Sequence, residues 1–392
     1  MSWKAAPLGE LADVQLGKML DQKKNQGEYR RYLGNDNVRW NKFKFDEVKE
    51  MRIKDSERVR YGLRRGDLLI CEGGDPGRCA LWMSDEEMYY QKALNRVRVR
   101  GDIDPRYLLY YFLHIGATRE VAQYYTGGAT IKHLPNAALK RVEVRYPELE
   151  TQRRIASVLM AYDNLIENNR RQIALLEEAA QRLYKEWFVD LRFPGYESAV
   201  IVDGVPEDWQ RISIEELGTY LNGYAFKPTD HFSEGLPILK IKELRGGITS
   251  DTPRNSGAEI PDKYRVHRGD IVFSWSATLA VDVWDDEDSL LNQHLFKVTP
   301  RRQETHEYVV QSLSNLIKEM YAMTTGSTMT HLQRNKLKVI KTLLPSDDIL
   351  AEYNVVAAPL RKQITSLKRR NGYACEARDR LLPKLMSGEI EM

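Results

Sequence analysis

The sequence predicts an α+β protein built from two copies of one domain, each followed by a long coiled-coil-like helix. Three observations carry this reading: short motifs that recur in order, apolar runs of strand length behind Gly-Asp turns, and two stretches with apolar residues at alternating spacings of four and three. The 392 residues, 42% hydrophobic and 29% charged, are enough for two or three ordinary cores.

The first copy opens with Trp3 and Leu8-Gly9, the second with Trp209 and Leu217-Gly218. Gly66-Asp67-Leu68-Leu69-Ile70 is matched by Gly269-Asp270-Ile271-Val272-Phe273, each a turn feeding a buried strand behind an arginine-rich approach. Gln91-Lys92 then meets Gln293-His294. Gly128-Ala129-Thr130-Ile131-Lys132-His133-Leu134 meets Gly326-Ser327-Thr328-Met329-Thr330-His331-Leu332, a shared Gly-x-Thr-x-x-His-Leu skeleton. The same offset pairs Leu139-Lys140 with Leu337-Lys338 and Pro147 with Pro345. These matches delimit a first domain over 1–150 and a second over 208–346.

Residues 151–192 read as a helix with Ile155, Leu159, Tyr162, Ile166, Ile173, Leu176, Ala180, Leu183 and Trp187 on one seam, broken by Asn169. Such a seam suits a coiled-coil-like helix about 57 Å long. Residues 347–392 repeat the pattern through Tyr353, Ala357, Leu360, Ile364, Leu367, Ala374, Leu381 and Leu385, with Asn371 and Arg378 interrupting. Pro359 is expected to split this region into a short helix and a longer one. Pairing the two helices buries both seams, and Asn169 with Asn371 would set their register. Residues 193–207, rich in Gly and Pro, form the linker.

Net charge is only +3, so charge permits nucleic-acid binding without arguing for it. Cys71, Cys79 and Cys375 are too scattered for a disulfide framework or a zinc site. The N-terminus lacks a signal-peptide core, and the most apolar stretch, around Leu108–Gly116, is too short to span a bilayer; a cytoplasmic protein is expected. There is no P-loop and no Gly-x-Gly-x-x-Gly, and Gly73-Gly74-Asp75-Pro76-Gly77 has the wrong spacing for either. The Asn/Asp-Pro-Pro-Tyr/Phe signature of amino-methyltransferases is missing, Pro261-Asp262-Lys263 is a lone fragment, and the seven histidines show no metal spacing. The chain reads as one that binds and positions but does not catalyse.

Gln152-Arg153-Arg154-Ile155-Ala156-Ser157-Val158-Leu159, continuing to Leu183-Tyr184-Lys185-Glu186-Trp187-Phe188, resembles the central conserved region of type I restriction–modification specificity subunits. Arg380-Leu381-Leu382-Pro383-Lys384-Leu385-Met386-Ser387-Gly388 resembles that family's ending. The resemblance covers essentially the whole chain. It implies two target recognition domains with mixed sheets, joined by antiparallel helices in a pseudo-two-fold arrangement, each domain reading one half of a bipartite asymmetric DNA site. It also implies partners: two DNA adenine methyltransferase subunits, docked on the helices and bringing S-adenosylmethionine, and restriction subunits using ATP and Mg. No cofactor is expected on this chain.

Base edges are read by Arg and Lys at guanine, by Asn and Gln at adenine, and by Ser and Thr at either. Loop residues of those types are Asn35, Asn37, Arg39, Arg78, Lys92, Thr130, Lys132 and His133 in the first domain. In the second they are Lys242, Ser274, Ser276, Thr278, His294, Thr328, Thr330 and His331. Asn35 and Asn37 equally suit a turn cap, and Arg78 a solvated loop. Thr130, Thr328, His133 and His331 are common to both copies and suit the scaffold or phosphate better than a base, whereas Lys132 and Thr330 differ. Trp40, Trp82, Trp275 and Trp284 read as packing residues. Tyr184, Trp187, Phe188, Leu381, Leu382 and Leu385 are candidates for methyltransferase docking, and Arg170, Arg171, Arg369 and Arg370 for spacer phosphates or a solvated helix face. Two rival functions are a self-recognising modification enzyme, which would bind S-adenosylmethionine, and a helical scaffold carrying RNA- or protein-binding domains.

Overall fold

A Gly-Asp turn launches the central strand in each half of the chain. The computed structural model describes residues 3–21, 25–127, 132–324 and 331–392. In it Gly66 and Gly269 take φ values of +92° and +93°, where an L side chain would be strained. The aspartates close both turns alike: Asp67 Oδ2 accepts the Arg64 N–H at 2.7 Å, and Asp270 Oδ2 accepts that of His267 at 2.8 Å.

The chain divides into two compact units, Met1–Leu165 with Ala374–Met392 and Ile166–Tyr373, so both division points fall inside long helices. The first unit holds an antiparallel sheet in the order Ala12–Leu16, Leu94–Val99, Asp67–Cys71, Cys79–Trp82. Side chains alternate across its central strand. Leu68 and Ile70 join the core around the helix Pro105–Ala117, while Leu69 and Cys71 join a second core with Leu33 and Tyr90. The latter two belong to a mixed sheet of Lys49–Ile53, Glu28–Leu33 and Tyr89–Tyr90.

The second unit repeats this plan. Its antiparallel sheet runs Gly218–Asn222, Leu295–Pro300, Ile271–Ser274, Ala280–Val283. Ile271 and Phe273 face the core that includes Tyr308 and Leu313 of the helix His306–Asn315. Val272 faces Leu239 and Leu291 of a mixed sheet.

Hydrogen bonds index the repeat residue by residue. Leu8 N–H donates to Val142 O and Ile214 N–H to Ile340 O; Gly17 N–H donates to Leu94 O and Gly223 N–H to Leu295 O. The Tyr107 hydroxyl caps Arg145 O, and that of Tyr308 caps Leu343 O. Lys18 bridges Gln91 as Tyr224 bridges Asn292. This register corrects two sequence matches. Leu8 corresponds to Ile214 rather than Leu217, and Gln91-Lys92 to Asn292-Gln293 rather than Gln293-His294. In both cases identical letters stand at neighbouring positions that are not structurally equivalent.

The central helix, Leu149–Tyr184, ends in a π-helical turn over Lys185–Val189. The C-terminal helix, Asp347–Ser387, is one element of 41 residues, so the break expected at Pro359 does not occur. A proline forfeits one i→i−4 bond, here to Val355, whose residue is 75% exposed and can be hydrated. Tyr353 and Ala357 on one side and Ile364 on the other are buried and hold the helix through it.

Within the second unit the two helices run antiparallel. Asn169 Nδ2 donates to Asn371 Oδ1 at 2.9 Å, Lys368 Nζ lies 3.9 Å from Glu177, and the Phe188 ring is 4.9 Å from that of Tyr353. In the first unit Arg378 bonds Asp163 at 2.7 Å, and Asp163 also accepts from Tyr110 at 2.5 Å and Asn41 at 2.7 Å. Among the described residues no helix is long and apolar enough to cross a membrane.

Candidate nucleic-acid interface

In both units the sequence candidates gather mainly at one end of the antiparallel sheet, where the strands after Asp67 and Asp270 run out into loops. In the first unit Cys71 leads into the loop Glu72–Arg78, closed by Gly77 N–H to Cys71 O and Cys71 N–H to Arg78 O. Arg78 reaches across to Asn35 O at 2.9 Å. A Cβ on Gly74 would stand 2.7 Å from Asn35 Nδ2, and one on Gly73 3.1 Å from His133 Nδ1. Asn35, Arg78 and His133 are thus brought together around two glycines that leave them room. Beside them lies an open concavity of ≈ 270 Å³ lined by Asn35, Asn37, Arg39, Lys44, Lys49 and Gln91. Lys92, Lys132 and His133 are exposed, while Arg39 is half-buried and donates to Val38 O.

Asn37 is a correction. It is buried, and its amide donates to Lys44 O at 2.9 Å and Glu47 O at 3.2 Å while accepting from Gly34 N–H at 2.8 Å. Both of its donors hold a turn and the side chain is buried, so it does not present a base-reading edge.

In the second unit Ser274 and Ser276 are corrected on the same ground. Both are buried, and the single Ser274 O–H donates to Thr278 O at 2.7 Å, with Ser276 O a longer alternative acceptor at 3.2 Å. Thr278, His294 and His331 are half-buried, and Lys242 is exposed on the short helix Ile241–Gly246. Thr130, Thr328 and Thr330 lie outside the described residues. Burial, with His331 beside it, lowers the His294 pKa below the ordinary imidazole range, so His294 is neutral at pH 7.

Trp82 and Trp284 are buried, as packing residues should be, and the Trp40 indole donates to Asp75 at 3.0 Å. Trp275 behaves differently. It is half-buried, with the imidazole rings of His294 and His331 centred 5.9 and 5.8 Å from its own ring centroid.

Three of the docking candidates are likewise corrected. Tyr184 and Phe188 are 3% and 4% exposed and stack with Tyr308, Trp209 and Tyr353 in the core of the second unit. Leu385 is 1% exposed in the core of the first. Their apolar surface is already spent inside this chain. Trp187, Leu381 and Leu382 remain half-buried, and Arg170, Arg171, Arg369 and Arg370 are exposed.

The family model for the type I restriction modification DNA specificity domain matches residues 2–178 and again 206–352. The chain belongs to this family. It is 26% identical over 300 residues to the type I restriction enzyme MjaIX specificity subunit of Methanocaldococcus jannaschii, covering 72% of this chain and 69% of that one. Against the HindI specificity subunit of Haemophilus influenzae it is 19% identical over 435 residues, 92% and 94% of the two chains. Among solved structures, the S subunit of a type I restriction–modification system from M. genitalium shares the fold, with a TM-score of 0.60 at 17% identity over 98% of this chain and 96% of that one. As a type I restriction–modification specificity subunit, the chain recognises DNA through its two domains, one in each unit.

Proposed function

We propose that each recognition domain reads one half of a bipartite, asymmetric DNA sequence and that the two long helices set the distance between the halves. The observation that carries this reading is one strand order and one hydrogen-bond framework occurring twice, with different side chains at the same sheet end. A common framework supports a common docking geometry, and different side chains support different base contacts.

In the same reading the chain is a non-catalytic cytoplasmic component. DNA adenine methyltransferase subunits dock on the helices and carry S-adenosylmethionine, and restriction subunits supply the ATP- and Mg-dependent chemistry. Of the docking candidates, Trp187, Leu381 and Leu382 keep part of their apolar surface exposed for that role. The exposed arginines Arg170, Arg171, Arg369 and Arg370 are available to the phosphates between the half-sites.

The spacing role is tested by length. Four residues inserted between Arg153 and Lys185, with a matching insertion in the C-terminal helix, lengthen the pair by about 6 Å. Four residues also turn the seam by only about 40° from its original face. Since a base-pair step is about 3.4 Å, the methylated site should gain one or two unspecified base pairs. Unchanged spacing in the methylated motif would refute the proposal.

A further inference from the structure

In the register fixed by their hydrogen bonds, the two units differ sharply at the sheet end. Leu134 N–H donates to Glu72 O as Leu332 N–H donates to Trp275 O, and Glu72 N–H to Ala93 O as Trp275 N–H to His294 O. Trp275 and His294 therefore stand where the first unit has Glu72 and Ala93, and Asn222, next to Gly223, stands where it has Leu16 next to Gly17. The shared histidines, His133 and His331, frame the difference.

The Trp275 side chain is fixed on several sides. Its indole N–H donates to Asn222 Oδ1 at 3.1 Å, and its ring centroid lies 5.8 Å from that of buried Phe296. The rings of His294 and His331 lie 5.9 and 5.8 Å away. Among the described residues, Nδ1 of both histidines and Oε1 of Gln293, next to His294 in sequence, are buried without a hydrogen-bond partner. With Nδ1 uncommitted, no hydrogen bond among the described residues selects the tautomer, so either imidazole can offer a donor or an acceptor at Nε2.

We propose that Trp275 and His294, framed by the shared His331, form the specificity element of the second recognition domain in duplex DNA. Trp275 supplies a held apolar surface that selects a thymine methyl group in the major groove, and the His294 imidazole adapts to the base edge beside it. This rests on the DNA-reading function proposed above.

The test uses the full chain produced with its methyltransferase subunits, with methylated sites mapped by single-molecule sequencing. Trp275→Ala should lower preference at one position of the second half-site on the order of tenfold, leaving the first half-site intact. His294→Ala, which installs the first unit's residue, should relax a neighbouring position. Unchanged preferences overturn the proposal. So does a uniform loss of DNA affinity with the motif intact, the signature of packing or phosphate contact. If Trp275→Ala fails to fold, Trp275→Phe and His294→Ala decide the matter, since an unaltered motif from both overturns it. Failure of the underlying reading is distinguishable: the unmodified complex would then produce no bipartite methylation motif at all.

Discussion

Gly17 and Gly223 lie where two backbones approach closely in the equivalent place of each unit. A Cβ would stand 2.4 Å from Gln91 O at Gly17 and 2.2 Å from Asn292 O at Gly223, and a backbone oxygen cannot rotate away. Gly17→Ala and Gly223→Ala should therefore each destabilise the protein by about 1–3 kcal/mol, read as a lower Tm. An unchanged Tm in both would refute this. Residue roles were the least legible part of the sequence. Asn37 and Ser274 carry the groups that read bases, but the same amide and hydroxyl also satisfy backbone in turns, and only burial and partners tell the two apart. Trp275 is the converse, since its letter suggests packing and its half-buried place beside two histidines suggests a surface role.

Secondary-structure elements were more legible, because period is a property of the letters themselves. The four-three spacing located both long helices, and the two asparagines that interrupt their seams do meet, Asn169 on Asn371. Replacing Asn169 by Ala strips the Asn371 carboxamide oxygen of its partner in a buried seam, at about 1–3 kcal/mol. Asn169→Leu with Asn371→Leu should recover most of that loss, and a double-mutant cycle of thermal melts measures the coupling. A cycle showing purely additive effects would remove the pair from any role in register. The continuity through Pro359 was not legible, since it depends on packing from elements distant in sequence.

Glu307 ties the C-terminal helix to the second domain, accepting from Arg361 Nε at 2.9 Å. Burial alone would raise its pKa, but the hydrogen bond from His306 and the Arg361 guanidinium outweigh that and hold it below the usual carboxylate range. A depressed carboxylate stabilises the fold fully above its unfolded pKa of about 4.3. That stabilisation is lost as pH falls through the lower folded value. Melts of the wild type should show this acid loss, and Glu307→Gln should weaken the pH dependence while lowering stability at neutral pH. Parallel pH profiles for the two proteins would contradict the assignment.

At the scale of the whole chain, the repeat was legible because short motifs recurred in order, and the strand orders of the two units coincide accordingly. The register was not, because the matching letters recur at neighbouring positions that are not equivalent, Leu217 three residues after Ile214 and Gln293 one after Asn292. That register matters to function, since it decides which side chains stand in equivalent places and hence where the two domains differ. The most direct measurement maps methylated bases in cells carrying this chain and its methyltransferase subunits, before and after residues 208–346 are replaced by the matching segment of a relative. Two domains reading separate half-sites predict a bipartite motif of which only one half changes. A motif altered in both halves, or a single contiguous site, would contradict that division of labour.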